Sequence, residues 1–228
     1  MITDLRGVLS GRPYPGRGCL AVRLPDRRLY LAYFLTGRSD ASRARALAIG
    51  PSGGIEVRDT SGGSHDSLRH YTAGVSRAGW TVLGNGDQVE PLAAALAEGA
   101  DLTAAWLAHA YEPDPPIYTP RIWIAVRHDD ESVVVGSVSR SVRGDGSADR
   151  LLLMPEAIPV GEGVLLTTYS GTTDAVVTAG EPTSVSTTAA SADDLLDDVW
   201  ACLAPGLAVA AFAAPLEDLA SATFRART

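Results

Sequence analysis

The chain has 228 residues; all 19 of its basic side chains are arginine, and 27 acidic ones leave a formal net charge of −8. That length holds one large domain or two small ones at roughly 150 residues each, and 46% hydrophobic with 20% charged residues excludes wholesale disorder. The acidity argues against nucleic acid or an anionic membrane as partner, and the absence of lysine removes Schiff-base, P-loop-lysine and Ser-Lys chemistry.

Strands come first. Cys19 to Leu24 and Leu29 to Leu35 are apolar, β-prone runs joined by the turn residues Pro25-Asp26-Arg27-Arg28. Residues 50–67, rich in Gly, Ser and Asp, read as loops around one short strand, Ile55 to Arg58. Thr72 to Leu83 reads as a strand pair broken near Arg77 to Gly79. A helical period follows, with Leu92, Ala95 and Leu96 on one face and Leu102, Trp106 and His109 on another. Gly99 separates the two pieces, and Asp101 is placed to cap the second. Glu112-Pro113-Asp114-Pro115-Pro116 stops any helix. Strands resume at Arg121 to Arg127, Ser132 to Val138 and Gly163 to Tyr169. A last helix runs from Ser191 to Leu203, started by Ser191 and Asp194 and carrying the stripe Leu195, Leu196, Val199, Trp200 and Leu203. Gly206 to Ala213 reads as a final buried strand. No repeat or long linker divides residues 1–228, so the expectation is one α+β domain with helices covering sheets.

No run of 18 apolar residues predicts a membrane span. The start, Met1-Ile2-Thr3-Asp4, lacks the apolar stretch of a signal peptide, and Cys19 and Cys202 form no disulfide framework; a cytoplasmic location with free thiols is expected. His65, His70, His109 and His128 show no metal-ligand spacing, so neither metal nor cofactor is expected.

Three glycine-rich polar segments sit at strand ends: residues 13–18, residues 37–45 and Tyr118-Thr119-Pro120-Arg121. They supply Arg17, Arg38, Arg43, Arg45 and Arg121. Guanidinium forks, serine hydroxyls and glycine backbone N–H groups together make a phosphate receptor. The ordinary alternative is that these arginines are surface charges paired with the many aspartates. Asn85-Gly86-Asp87-Gln88 lies between a strand and a helix, where Asn-Gly commonly makes a turn. Tyr71, Tyr118 and Tyr169 flank the glycine-rich stretches, and a tyrosine there is commonly a packing residue.

In chain order these segments read Pro13-Tyr14-Pro15-Gly16-Arg17-Gly18, Tyr33-Phe34, Gly37-Arg38-Ser39, Ser42-Arg43, Asp66-Ser67-Leu68 with Tyr71, and Asn85-Gly86-Asp87-Gln88. Tyr111-Glu112-Pro113-Asp114, Tyr118-Thr119-Pro120-Arg121-Ile122, Thr168-Tyr169 with Gly171, and Gly180-Glu181-Pro182 follow. Each is unspecific; as an ordered set, over roughly residues 12–215, they resemble the archaeal-type IMP cyclohydrolase family, and more closely its bacterial IMP cyclohydrolase-like branch. The resemblance implies a four-layer αββα sandwich like that of the N-terminal-nucleophile hydrolases, here without the N-terminal nucleophile. It implies closure of the purine ring of 5-formamidoimidazole-4-carboxamide ribonucleotide to IMP with loss of water. Partners would be a purine mononucleotide or its formamido-imidazole precursor, and a homo-oligomer is the default assembly.

On that resemblance Arg17, Arg38, Ser39 and Arg43 bind the 5′-phosphate or orient the base. Tyr71 and Glu112 carry the proton. Asn85, with Gly86 and Asp87 of the same segment, and Thr119 and Arg121 position the reacting groups, with Arg121 counted among the catalytic residues. Tyr33 and Tyr169 line the base pocket. Two positions depart from the branch: Ala44 and Ser170 stand where asparagine is usual. They leave open a paralogue that cyclises a related formamido nucleotide, or a non-catalytic purine-nucleotide-binding protein.

Overall fold

The computed structural model describes residues 2–62 and 66–227; His65 lies outside them. It is a mixed α+β structure with two large sheets and few helices. The first sheet contains β1 (Thr3–Asp4), β2 (Arg17–Arg23), β3 (Leu29–Thr36), β11 (Glu162–Thr167), β12 (Thr183–Ser186), β13 (Ala208–Pro215) and β14 (Thr223–Ala226), in the order β1-β12-β11-β2-β3-β13-β14. The second contains β4 (Arg45–Ile49), β5 (Ile55–Asp59), β6 (Tyr71–Arg77), β7 (Trp80–Gly84), β8 (Arg121–Arg127), β9 (Val133–Arg140) and β10 (Ala148–Leu153), in the order β10-β9-β8-β7-β6-β5-β4. All pairings of named strands are antiparallel except β1 with β12.

Side chains alternate across a strand, so a strand buried on both faces feeds two cores. In β3, Leu29, Leu31, Tyr33 and Leu35 join the cluster between the sheets, where Ile122, Ile124 and Val126 of β8 meet them. Tyr30, Ala32 and Phe34 point the other way, against Leu195, Leu196 and Val199 of α5 (Ala192–Cys202) and Leu5 and Leu9 of α1 (Leu5–Ser10). On the far side Trp123 and Ala125 of β8 meet Leu92 and Leu96 of α3 (Val89–Ala97) and Trp106 of α4 (Leu102–Leu107). Helices therefore lie on the outer face of each sheet. This is why β3 and β8 read as continuous apolar runs rather than as half-polar alternation.

The hairpins follow local chemistry. Between β6 and β7, Ala78 and Gly79 both take positive φ (45° and 79°), the two-residue turn that suits the strand twist. Ser191 accepts a hydrogen bond from the Asp194 backbone N–H at the start of α5, and Asp101 does the same for Ala104 at the start of α4. Strands β1, β4, β10, β12 and β14 and the short helices α1 and α2 (Asp40–Arg43) were not among the sequence expectations. Four of those strands are edges, and β4, Arg45-Ala46-Leu47-Ala48-Ile49, carries no strong strand former until its last residue. No helix among the described residues is long and apolar enough to cross a membrane.

Candidate active site

The strand registers bring one set of ends together. In the first sheet Arg17 opposes Leu35, and Thr167 opposes Gly18. In the second, Arg45 opposes Asp59, Val57 opposes Tyr71, and Gly84 opposes Trp123. The starts of β2, β4, β6 and β8 and the ends of β3, β7 and β11 thus lie at one end of their sheets. A cavity of about 280 Å³ opens there. Arg17, Arg38, Ser39, Glu112 and Tyr169 of the expected residues line it, with Tyr14, Thr36, Arg45, Arg69 and Asp114.

Its deepest polar contact is the ion pair of Arg17 and Glu112, both almost fully buried, with Arg17 Nη2 donating to Glu112 Oε2 at 2.8 Å. Arg17 Nη1 donates to the Asn85 carbonyl at 2.9 Å. Burial raises the Glu112 carboxyl above the ordinary carboxylate range, and the charge and hydrogen bond of Arg17 pull it back only in part. A buried carboxyl raised in this way, in a cavity, is suited to moving a proton. Beside it Thr119 bridges Asp114 and the Tyr169 hydroxyl. The Tyr169 ring stacks on Tyr14 with centroids 5.3 Å apart. Burial raises the Tyr169 phenol, against the pull of Arg17.

The cations divide into two kinds. Arg69 is neutralised by Asp59 and Asp66, each 2.9 Å away. Arg38 donates to the Thr173 carbonyl, and Arg45 donates to the carbonyls of Ser42 (2.7 Å) and Thr36 (3.0 Å). Neither Arg38 nor Arg45 has a carboxylate partner among the described ion pairs. Two guanidinium groups in one cavity, neither in direct contact with a carboxylate among the described ion pairs, can receive an anion, although Asp59 opposite Arg45 in the sheet feels its charge.

The other expected residues lie outside the lining. Arg43 closes α2, pairs with Asp40 at 2.6 Å and donates to the Arg38 carbonyl. Tyr33 is fully buried between the sheets, its hydroxyl 2.8 Å from that of Tyr71, and burial raises it well above the ordinary phenol range. Asn85 is fully buried; it accepts from the Ile122 N–H (2.8 Å) and donates to Pro120 O (2.8 Å), acting as a brace between β7 and β8. Thr119 touches the lining through Tyr169 and Asp114. Arg121 pairs with Asp87 at 2.6 Å and donates to Gln88 Oε1 at 2.8 Å, passing over Gly86.

Arg45 and Arg69 carry the opposite lesson. Arg45 is one of the cations of the glycine-rich segments but not among the residues the resemblance gives the phosphate, and Arg69 directly follows the Asp66-Ser67-Leu68 motif without a role in it. The glycines of the first motif also have a packing cause. A Cβ at Gly16 (φ +74°) would lie 2.1 Å from Thr168 Oγ1, and one at Gly18 would lie 2.2 Å from the Phe34 ring. Both let neighbouring side chains close over the backbone.

No curated protein matches the chain. A family profile described as IMP cyclohydrolase-like protein matches residues 14–218. That span takes in every segment that builds the cavity, and the chain belongs to the IMP cyclohydrolase-like protein family.

Proposed function

We propose that this protein closes 5-formamidoimidazole-4-carboxamide ribonucleotide to IMP with release of water. The observation that carries the reading is the cavity itself, in a member of the IMP cyclohydrolase-like family: Arg38 and Arg45 stand without carboxylate partners beside the buried Arg17–Glu112 pair. A phosphomonoester dianion matches the first two cations, with the Ser39 hydroxyl beside them. The aromatic pair Tyr14 and Tyr169 offers a flank for the imidazole.

The chemistry asks little else of the protein. The carboxamide nitrogen and the formyl carbon already sit on neighbouring ring positions, so the substrate supplies most of the proximity. Glu112 takes one amide proton as the nitrogen adds to the formyl carbon. Arg17 uses its remaining N–H groups on the charge gathering at the formyl oxygen, a contribution of about 3 kcal/mol per well-aimed donor. Protonated Glu112 returns that proton to the oxyanion, giving the carbinolamine. It then takes the proton of the former formamide N–H and delivers it to the hydroxyl, which leaves as water while the C=N bond forms. Tyr71, whose hydroxyl meets that of buried Tyr33 outside the lining, takes no part in the proton route in this reading.

In the same reading the chain is one domain, because the core between the sheets draws on segments from Cys19 to Leu219. The outer helices and the two sheets between them support the αββα sandwich likened to the N-terminal-nucleophile hydrolases. Thr183–Ser186 and the other short strands complete it at the edges.

The test is to mix the protein with the formamido ribonucleotide and follow ring closure by ultraviolet absorbance. IMP formation well above the spontaneous rate is expected. A rate equal to that of buffer refutes the reaction; tight IMP binding with no turnover moves the protein to the non-catalytic reading.

A further inference from the structure

Gln88, the last residue of the Asn85-Gly86-Asp87-Gln88 segment, is fully buried and all its polar atoms are engaged. Its Oε1 accepts from Arg121 Nη1 at 2.8 Å. Its Nε2 donates to Asn85 Oδ1 and to the Ile122 carbonyl, both at 3.1 Å. Arginine can only donate and a backbone carbonyl can only accept, so the amide has one orientation. Arg121 is thereby held across Gly86. A Cβ on Gly86 would lie 2.3 Å from Arg121 Nη1, 2.8 Å from Gln88 Oε1 and 3.5 Å from Glu112 Oε1. The same Gln88 supports Asn85, whose Nδ2 reaches Glu112 Oε1 at 3.4 Å.

We propose that Gln88 is a positioning residue for Glu112, holding Arg121 across the Gly86 backbone on the Oε1 side of the carboxylate while Arg17 holds Oε2. The cavity carboxylate is thus flanked by two cations drawn from different strands, β2 and β8. The groups about Glu112 are Arg17 from β2, Arg121 from β8 with Asp87 paired to it at 2.6 Å, Asn85 from the end of β7, and Asp114 from its own loop; Asp87 sits on the exposed side of Arg121 and Gln88 on the buried side. Only the arginines and the asparagine favour the anion; burial and Asp114 oppose it. The inference rests on the reading of Glu112 as the proton carrier.

The experiment is a titration of the Glu112 side-chain carboxyl by carbon NMR in the whole protein, with Glu112→Gln used to assign the resonance. Gln88→Met removes both polar arms at similar length; Ile122 N–H and the Pro120 carbonyl still pin Asn85. Gly86→Ala keeps Gln88 but places a methyl group where the Arg121 guanidinium passes, and Gly86 does not take a positive φ. Both variants are expected to move the Glu112 titration upward, by about one pH unit. Should Gln88→Met not fold, Gly86→Ala tests the Arg121 route by itself, and an unmoved titration there overturns the proposal. An unmoved titration in both overturns the proposal. A shift in Gly86→Ala alone means that Gln88 does not hold Arg121, and a shift in Gln88→Met alone means that Arg121 is not the route; either overturns it. Assayed in parallel, a shifted titration in a protein that closes no ring removes the reaction and leaves the positioning role standing. Ring closure with unmoved titrations does the reverse.

Discussion

Arg43 and Arg45 stand two residues apart and have opposite surroundings, which makes them a sharp test of the anion receptor. Arg43 is partly exposed, paired with Asp40 and outside the cavity lining. Arg45 is buried in the lining and spends two N–H groups on backbone carbonyls, leaving three for a ligand. A hydrogen bond to a charged group contributes about 1.5–3 kcal/mol. At about 1.4 kcal/mol per decade, Arg45→Met should weaken IMP binding roughly 10- to 150-fold. Removing an exposed paired charge such as Arg43 changes little, so Arg43→Met should stay within about fivefold of the unaltered protein. Calorimetric titration with IMP at two salt concentrations reads both, with the Arg45 effect persisting at the higher salt because the group is buried. Equal losses in the two variants, or no loss in Arg45→Met, would refute the assignment of the phosphate to the cavity.

Glu112→Gln should lower kcat by roughly 10²–10⁴-fold while IMP affinity changes far less. Burial raises the Glu112 carboxyl, and the base works ionised; the unaltered rate should therefore fall with decreasing pH at a point above the usual carboxylate range, an acid limb absent from the pH profile of Glu112→Gln. Gly18→Ala forces a methyl group into the Phe34 ring and should destabilise the fold by about 1–3 kcal/mol, seen as a lower Tm. Burial raises the Cys19 thiol and seals it inside, whereas Cys202 is only half-buried. Alkylation of the native protein followed by mass spectrometry should therefore label Cys202 and spare Cys19; labelling of Cys19 would mean that the inter-sheet core opens.

The long strands and α5 were legible because their causes are local. A run such as Leu29 to Leu35 needs two buried faces, a turn such as Ala78-Gly79 needs positive φ, and Ser191 with the Leu195, Leu196 and Val199 stripe fixes both the start of a helix and its buried side. The ordered motifs likewise carried the family. Edge strands such as β4 and β10 were illegible, since their residues have little strand preference and become strands by hydrogen bonding to the better strand former next to them in the chain, β5 or β9. The site divided in the same way. Residue types at strand ends named Arg17, Arg38 and Glu112, but composition cannot say which cation meets a carboxylate. Asp40 reaches Arg43 within one turn of α2, but strand register decides that Asp59 meets Arg69 at 2.9 Å while Arg45, opposite Asp59 in the sheet, faces the cavity without an ion pair among the described residues. Sequence determined the long elements and the chemical inventory; only the tertiary structure decided which charges are cancelled and which remain to hold a ligand, since Coulombic pairing depends on separation in space.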